Sequence, residues 1–181
     1  MIRLVCSTIP GSLSMTKMPC AALGFILALL LAAAPVVAAE KPTDTQALKG
    51  VSAGKVVWDV SMANPEMLAL YLSVVRETYD DLVRQKVKPE MVLAVHGVPV
   101  KYLVKDRSAL PFEIQPKVDE VVGHLEKLAA LPGVRIEVCS VANRLMGVDN
   151  ASILPAFHVV GNTWVSLIGY QAQGYAIIPV N

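Results

Sequence analysis

Nucleophilic and acid–base chemistry in this chain converges on a few residues, with Cys139 at their centre. The thiol closes an apolar run, Val134-Arg-Ile-Glu-Val-Cys139, and the helix-like Ser140-Val-Ala-Asn-Arg-Leu-Met146 begins directly after it. A cysteine at the carboxyl end of a parallel strand, beside a helix start, stands where α/β proteins place reactive groups. The oriented amides of that start favour thiolate over thiol, so Cys139 is expected to be accessible and to suit sulfur chemistry. The plainer reading is a small buried hydrophobe that ends a strand. His96 ends a second apolar run, Glu90-Met-Val-Leu-Ala-Val-His96. Carboxyl ends of parallel strands share one edge, so its imidazole is expected near the thiol as a base or thiolate partner. Bonding to local backbone is the alternative.

Two polar residues follow the cysteine. Asn143 lies about one helical turn on, where its amide could face a bound sulfur anion or simply serve as a cap. Arg144 could pair with sulfite, thiosulfate or a partner's carboxylate, or lie in solvent. The other histidines, His124 and His158, have no Cys or His at zinc or copper spacing, so no metal is expected. Neither Gly-x-Gly-x-x-Gly after the first strand nor Gly-x-x-x-x-Gly-Lys occurs, which argues against dinucleotide binding and nucleotide hydrolysis. No cofactor is expected. Without Cys-x-x-Cys or a resolving cysteine, a thiol–disulfide oxidoreductase is disfavoured.

The first 39 residues carry no acid and only two bases, Arg3 and Lys17. Lys17 precedes an apolar core at 21–34, and small residues follow it through Ala38-Ala39. This order predicts a secretory signal cleaved before Glu40, with translation starting at Met1, Met15 or Met18. The core is too short to span a bilayer comfortably. The expected product is a periplasmic protein with no membrane anchor after cleavage. Cys6 and Cys20 would leave with the signal, so no internal disulfide could form. What remains is 142 of the 181 residues, enough for one domain with a sizeable core. Its net charge falls from +1 to about −1, which offers no electrostatic case for nucleic acid. Residues 40–53 read as a mobile tether and 54–181 as the domain.

Periodicity within that domain alternates between strand and helix. Lys55-Val-Val-Trp-Asp-Val60 is a β-branched first strand. Asn64-Pro65-Glu66 supplies a cap, a first-turn proline and an acid for a helix over 65–82. The run 90–96 is a strand buried on both faces. Residues 98–104 form a short helix, Pro116 opens a helix with an inward stripe from Val118 to Ala129, and 134–139 is the thiol-bearing strand. After the short helix 140–146 and a loop over 149–155 come strand 157–160, helix 163–173 and strand 175–180. The order βαβαβαβαβ predicts one mostly parallel five-stranded sheet with helices on both faces.

The chain resembles the DsrE/DsrF/TusD-like superfamily of sulfur-handling proteins. The likeness is carried by Cys139, Asn143, Arg144, Gly147, Leu154-Pro155, Gly161, Leu167 and Gln171-Ala-Gln-Gly-Tyr175, with the His96-Gly97 end of the second strand. It spans nearly all of the chain after the signal. The resemblance implies a flavodoxin-like three-layer sandwich in which Cys139 carries sulfane sulfur as a persulfide, with His96 assisting and Gly97, Asn143 and Arg144 at the binding surface. It implies protein or small-molecule sulfur donors and acceptors, and a homotrimer or homohexamer. Assembly is also expected because apolar segments such as 98–104 need covering. Export and the single chain depart from the cytoplasmic relay members, which argues against transfer to tRNA or to a dissimilatory sulfite reductase. A non-catalytic oligomeric module that binds a small ligand or a partner is the alternative.

Overall fold

The central strands form where β-branched and apolar residues run almost unbroken. The computed structural model describes residues 40–181, so the expected signal, with Cys6 and Cys20, lies outside the described residues. Within Thr43–Asn181, β1 (Ala53–Val60), β2 (Lys88–Val95), β3 (Val134–Cys139), β4 (His158–Val160) and β5 (Ala176–Val180) build one sheet in the order β4-β3-β2-β1-β5. Every neighbouring pair is parallel. Both faces of β2 are covered, which is why it carries no hydrophobic–polar alternation.

The helices start and stop where their end residues dictate. Asn64 Oδ1 accepts the N–H groups of Glu66 and Met67 and caps α1 (Pro65–Arg84), with Pro65 at the first position. In α2 (Gln115–Ala129), Val118, Val121, Val122, Leu125 and Leu128 are the buried stripe that the spacing predicts. Gly147, at φ 69°, ends α3 (Ser140–Met146) in the left-handed conformation. Asn162 accepts the Trp164 N–H at 2.9 Å and caps α4 (Thr163–Ala172).

Strand order fixes the layers. The steps β1 to β2 to β3 to β4 all run the same way across the sheet, so right-handed crossovers put α1, α2 and α3 on one face. The return from β4 to β5 crosses the sheet in reverse and puts α4 alone on the other face. The result is a flavodoxin-like three-layer α/β sandwich. Alternation along β1 divides its side chains accordingly: Val56, Trp58 and Val60 join the large core under α1 and α2, and Val57 joins a small one under α4.

Two expectations change. The segment after His96 forms a 3-10 helix, Val98–Tyr102, since Pro99 lacks an N–H and the valines disfavour an α-turn. Its Val100 and Tyr102, with the following Leu103, are buried within the domain itself, so this segment does not require a second copy to cover it. The supposed tether is also partly structured. Residues 45–50 form a turn, Asp44 and Gln85 exchange hydrogen bonds of 2.6 and 3.0 Å, and β1 already begins at Ala53.

Candidate thiol site

Adjacent strands whose outgoing connections leave on opposite faces open a crevice at their carboxyl ends. Here those strands are β3 and β4, because β3 runs into α3 on one side and β4 runs into α4 on the other. Cys139 is the last residue of β3 and therefore sits at the switch point. The crevice is a cleft of about 280 Å³ lined by His96, Gly97, Cys139, Val141, Ala142, Leu145, Met146, Asn162, Thr163 and Trp164.

The sulfur receives donors from both sides of the crevice. Cys139 Sγ accepts the N–H of Ala142, in α3, at 3.5 Å and the N–H of Thr163, the first residue of α4, at 3.5 Å. Burial pushes the thiol up. The Thr163 N–H and hydroxyl, and the N–H groups of Ala142 and Val141, outweigh that cost, and the thiol lies below its ordinary value. The expectation of an accessible thiol needs correcting: Cys139 is only 4% exposed. It forms part of the cleft floor, packed into the edge of the large core. A thiol made more acidic than usual but with restricted access favours selective chemistry over fast reaction with every electrophile.

His96 shares the cleft with Cys139, together with Gly97, whose φ of 64° turns the chain into the 3-10 helix. Strand alternation brings Asp59, Ala94 and His96 to the α4 side of the sheet, and His96 Nε2 lies 2.8 Å from Asp59 Oδ1. With the Asp59 carboxylate accepting from Nε2, the neutral ring keeps its lone pair on Nδ1. Trp164 meets the imidazole edge-on, with centroids 6.3 Å apart. The carboxylate fixes the ring and the indole limits its swing.

Asn143 and Arg144 do not join this cleft. Asn143 is fully buried and donates through Nδ2 to Asn150 Oδ1 at 2.8 Å, and Asn150 in turn donates to Ser140 Oγ. That chain ties α3 to the loop before β4, a bracing role instead of contact with a sulfur anion. Arg144 is exposed on α3 and does not line the cleft. His158 is exposed on β4, and His124 lies 3.9 Å from Glu120 on α2, so neither reaches the thiol. Among the described residues no His, Cys, Asp or Glu cluster could hold a metal ion. A larger cavity, about 500 Å³, lies beside the 3-10 helix and the loop at 106–111, and shares only Met146 with the thiol cleft. It contains no thiol or imidazole.

Sequence reasoning missed Asp59, Thr163 and a brace beneath α4. The brace is Glu137, 4% exposed, whose Oε1 accepts both Arg135 Nε and the Tyr170 hydroxyl at 2.9 Å. Burial, followed by Glu137, pushes Tyr170 up to about 12. Tyr170 thereby anchors the helix whose first N–H reaches Cys139. The available signal was an acid inside each of two apolar strands, Asp59 and Glu137, since a buried carboxylate needs partners.

No family model matches the chain. A protein of Aquifex aeolicus (strain VF5), described as uncharacterized, is 25% identical over 126 residues, covering 69% of this chain and 55% of that protein. The chain thus spans about half the length of the curated relative it matches. The solved structure of MTH1491, a protein of unknown function from Methanobacterium thermoautotrophicum, is similar with a TM-score of 0.52 and 23% identity, over 70% of this chain and 99% of that one. The ychN protein from E. coli gives a TM-score of 0.43 at 12% identity, again over 70% and 99%. The likeness to MTH1491 shows a shared α/β fold.

Proposed function

We propose that this protein is an exported, DsrE-type sulfur carrier that holds sulfane sulfur on Cys139. The observation that carries the reading is the thiol's position: it sits at the sheet's switch point, with donors from α3 and α4 converging on Sγ and His96 in the same cleft. A thiolate held there attacks the sulfane sulfur of a donor. One S–S bond forms to Cys139, one breaks, and the electron pair leaves with the donor's thiolate, so no external oxidant is needed. Transfer to an acceptor thiolate reverses the step. The His96 ring, oriented by Asp59, presents Nδ1 to accept the proton of the incoming thiol. Residues within 1–39 support a periplasmic location through their acid-free, lysine-led apolar run.

We further propose assembly into a homotrimer or homohexamer. The support is the outer face of α4 away from the cleft, where Val165 is 64% exposed and Ile168 70%. Large apolar side chains left exposed one turn apart on a helix mark an interaction surface.

Reduced protein exposed to charged and uncharged sulfane-sulfur donors should gain mass in steps of one sulfur or one donor fragment, reversed by reductant. Cys139→Ser should remove the gain and keep the fold. Absence of any adduct across the donor panel would overturn the carrier reading. One observation favours a second reading, a non-catalytic binding module: the thiol is almost wholly buried. Ligand-induced thermal stabilisation that persists in Cys139→Ser, together with an unreactive thiol, would establish it.

A further inference from the structure

We infer that the thiol cleft is built for uncharged sulfane sulfur and against sulfur oxyanions. The shared chemistry is an S–S bond flanked by apolar atoms, as in the elemental sulfur ring or a dialkyl trisulfide. The inference rests on the carrier reading of Cys139 and adds the substrate class to it.

The walls decide the matter. No Lys or Arg lines the cleft, and its side chains are mainly those of Val141, Ala142, Leu145, Met146 and Trp164. An oxyanion entering it would give up water with no Lys or Arg to replace the lost solvation, and the His96 imidazole on the wall is already bound to the Asp59 carboxylate. The oxyanion would also approach a thiolate, with the Asp59 carboxylate bound behind His96. The uncharged side-chain donors at the cleft are few, chiefly the amide of Asn162 and the hydroxyl of Thr163. Asn162 accepts the Trp164 N–H, and the Thr163 hydroxyl is fully buried with no hydrogen-bond partner of ordinary geometry. Buried beside Cys139, that hydroxyl serves the sulfur and is not available to an anion at the cleft mouth.

Leu145 and Trp164 expose most of their surface at the mouth, and Met146 adds a polarisable thioether to the wall. An apolar sulfur compound covers these surfaces and gains by it, whereas a sulfonate does not. A cleft of about 280 Å³ suits a small, compact donor. Attack on the elemental ring opens it, forms one S–S bond to Cys139, and leaves the electron pair on the terminal sulfur of the attached chain. Attack on the central sulfur of a dialkyl trisulfide leaves Cys139–S–S–alkyl and expels an alkyl thiolate. Both steps balance without an oxidant.

The test compares labelling of Cys139 by a dialkyl trisulfide, by dispersed elemental sulfur and by tetrathionate, a dianion whose attack would expel thiosulfate. Intact mass gives each rate, and the urea-unfolded protein supplies the intrinsic reactivity of the same thiol. The ratio of trisulfide to tetrathionate rates should be at least about tenfold higher in the folded protein than in the unfolded one. Reaction with elemental sulfur as well assigns the cleft to the shared chemistry, and reaction with only one neutral donor assigns it to that source. Leu145→Arg, at an exposed position, should narrow the ratio by placing a cation at the mouth. A ratio equal in folded and unfolded protein, or preference for tetrathionate in the folded state, would overturn the inference while leaving the carrier reading intact. No adduct from any donor would instead remove the carrier reading itself.

Discussion

The two faces of the sheet are stabilised differently, and the thiol lies on their boundary. Beneath α1, α2 and α3 the core is continuous and apolar, from Trp58 and Leu72 through Leu93 and Val121 to Ile136. Beneath α4 only Val57, Val92 and Ala94 are buried as a hydrophobic group, with Leu167, Tyr170 and Tyr175 packed against them. Much of the remaining attachment is polar, through Glu137, Arg135 and Tyr170. The first face fixes where β3 ends. The second, more lightly held, determines how Thr163 meets the sulfur. A floor set in the large core beside a more lightly held donor wall suits the holding and release that the proposed carrier role requires.

The largest expected contrast comes from truncation. Leu93→Ala, at a fully buried site on the first face, should cost about 3–5 kcal/mol by urea unfolding. Leu167→Ala, under α4, should cost about 1–2 kcal/mol because the residue is only partly buried. Equal losses would abolish the distinction between the faces.

The polar brace gives a smaller, pH-dependent effect. Tyr170→Phe leaves Glu137 Oε1 without one of its two donors and should destabilise by about 1–2 kcal/mol. Tyr170 has its pKa raised to about 12 in the folded state, so its contribution is fully present below the ordinary tyrosine value near 10 and is lost as pH rises through about 12. Wild type and Tyr170→Phe should therefore converge in stability across that alkaline interval. A difference that stays constant through it would contradict the brace.

The smallest effects bear on the thiol. Thr163→Val keeps the backbone N–H and removes the hydroxyl, so it should raise the thiol's ionisation midpoint without unfolding the protein. Asp59→Asn should leave that midpoint nearly in place and slow the proposed reaction with sulfane-sulfur donors, since it acts on the orientation of His96 instead. Iodoacetamide labelling against pH and donor kinetics separate the two.

The layered fold was legible because its signals are local. Asn64-Pro65 marks a helix start, the 118–129 stripe marks a buried helix face, and the unbroken apolar run at 90–96 marks a strand covered on both sides. Cys139 and His96 were legible as strand ends on one edge. Strand order was not, because nothing local reveals that β5 returns beside β1 and leaves the crevice between β3 and β4. Whether Asn143 and Arg144 face the thiol, brace the helix or lie in solvent was left open for a related reason: the sequence of a short helix does not say which way a polar side chain points, and packing decides it. Asp59 and Thr163 depend on register and on a helix 24 residues past Cys139, so their contact with the site is a tertiary fact.

The central claim is that folding favours the Cys139 thiolate. It is tested most directly by the ultraviolet thiolate absorbance of the protein titrated against pH, with Cys139→Ser as the blank and the urea-unfolded chain as the reference. Because the folded thiol is the stronger acid, its contribution to stability is present above the unfolded midpoint and is lost as pH falls through the folded one. The account predicts a folded midpoint below the unfolded midpoint, and a stability advantage over Cys139→Ser that grows as pH rises between them. A folded midpoint equal to or above the unfolded one would show that burial outweighs the donors of Thr163 and Ala142, and would contradict it.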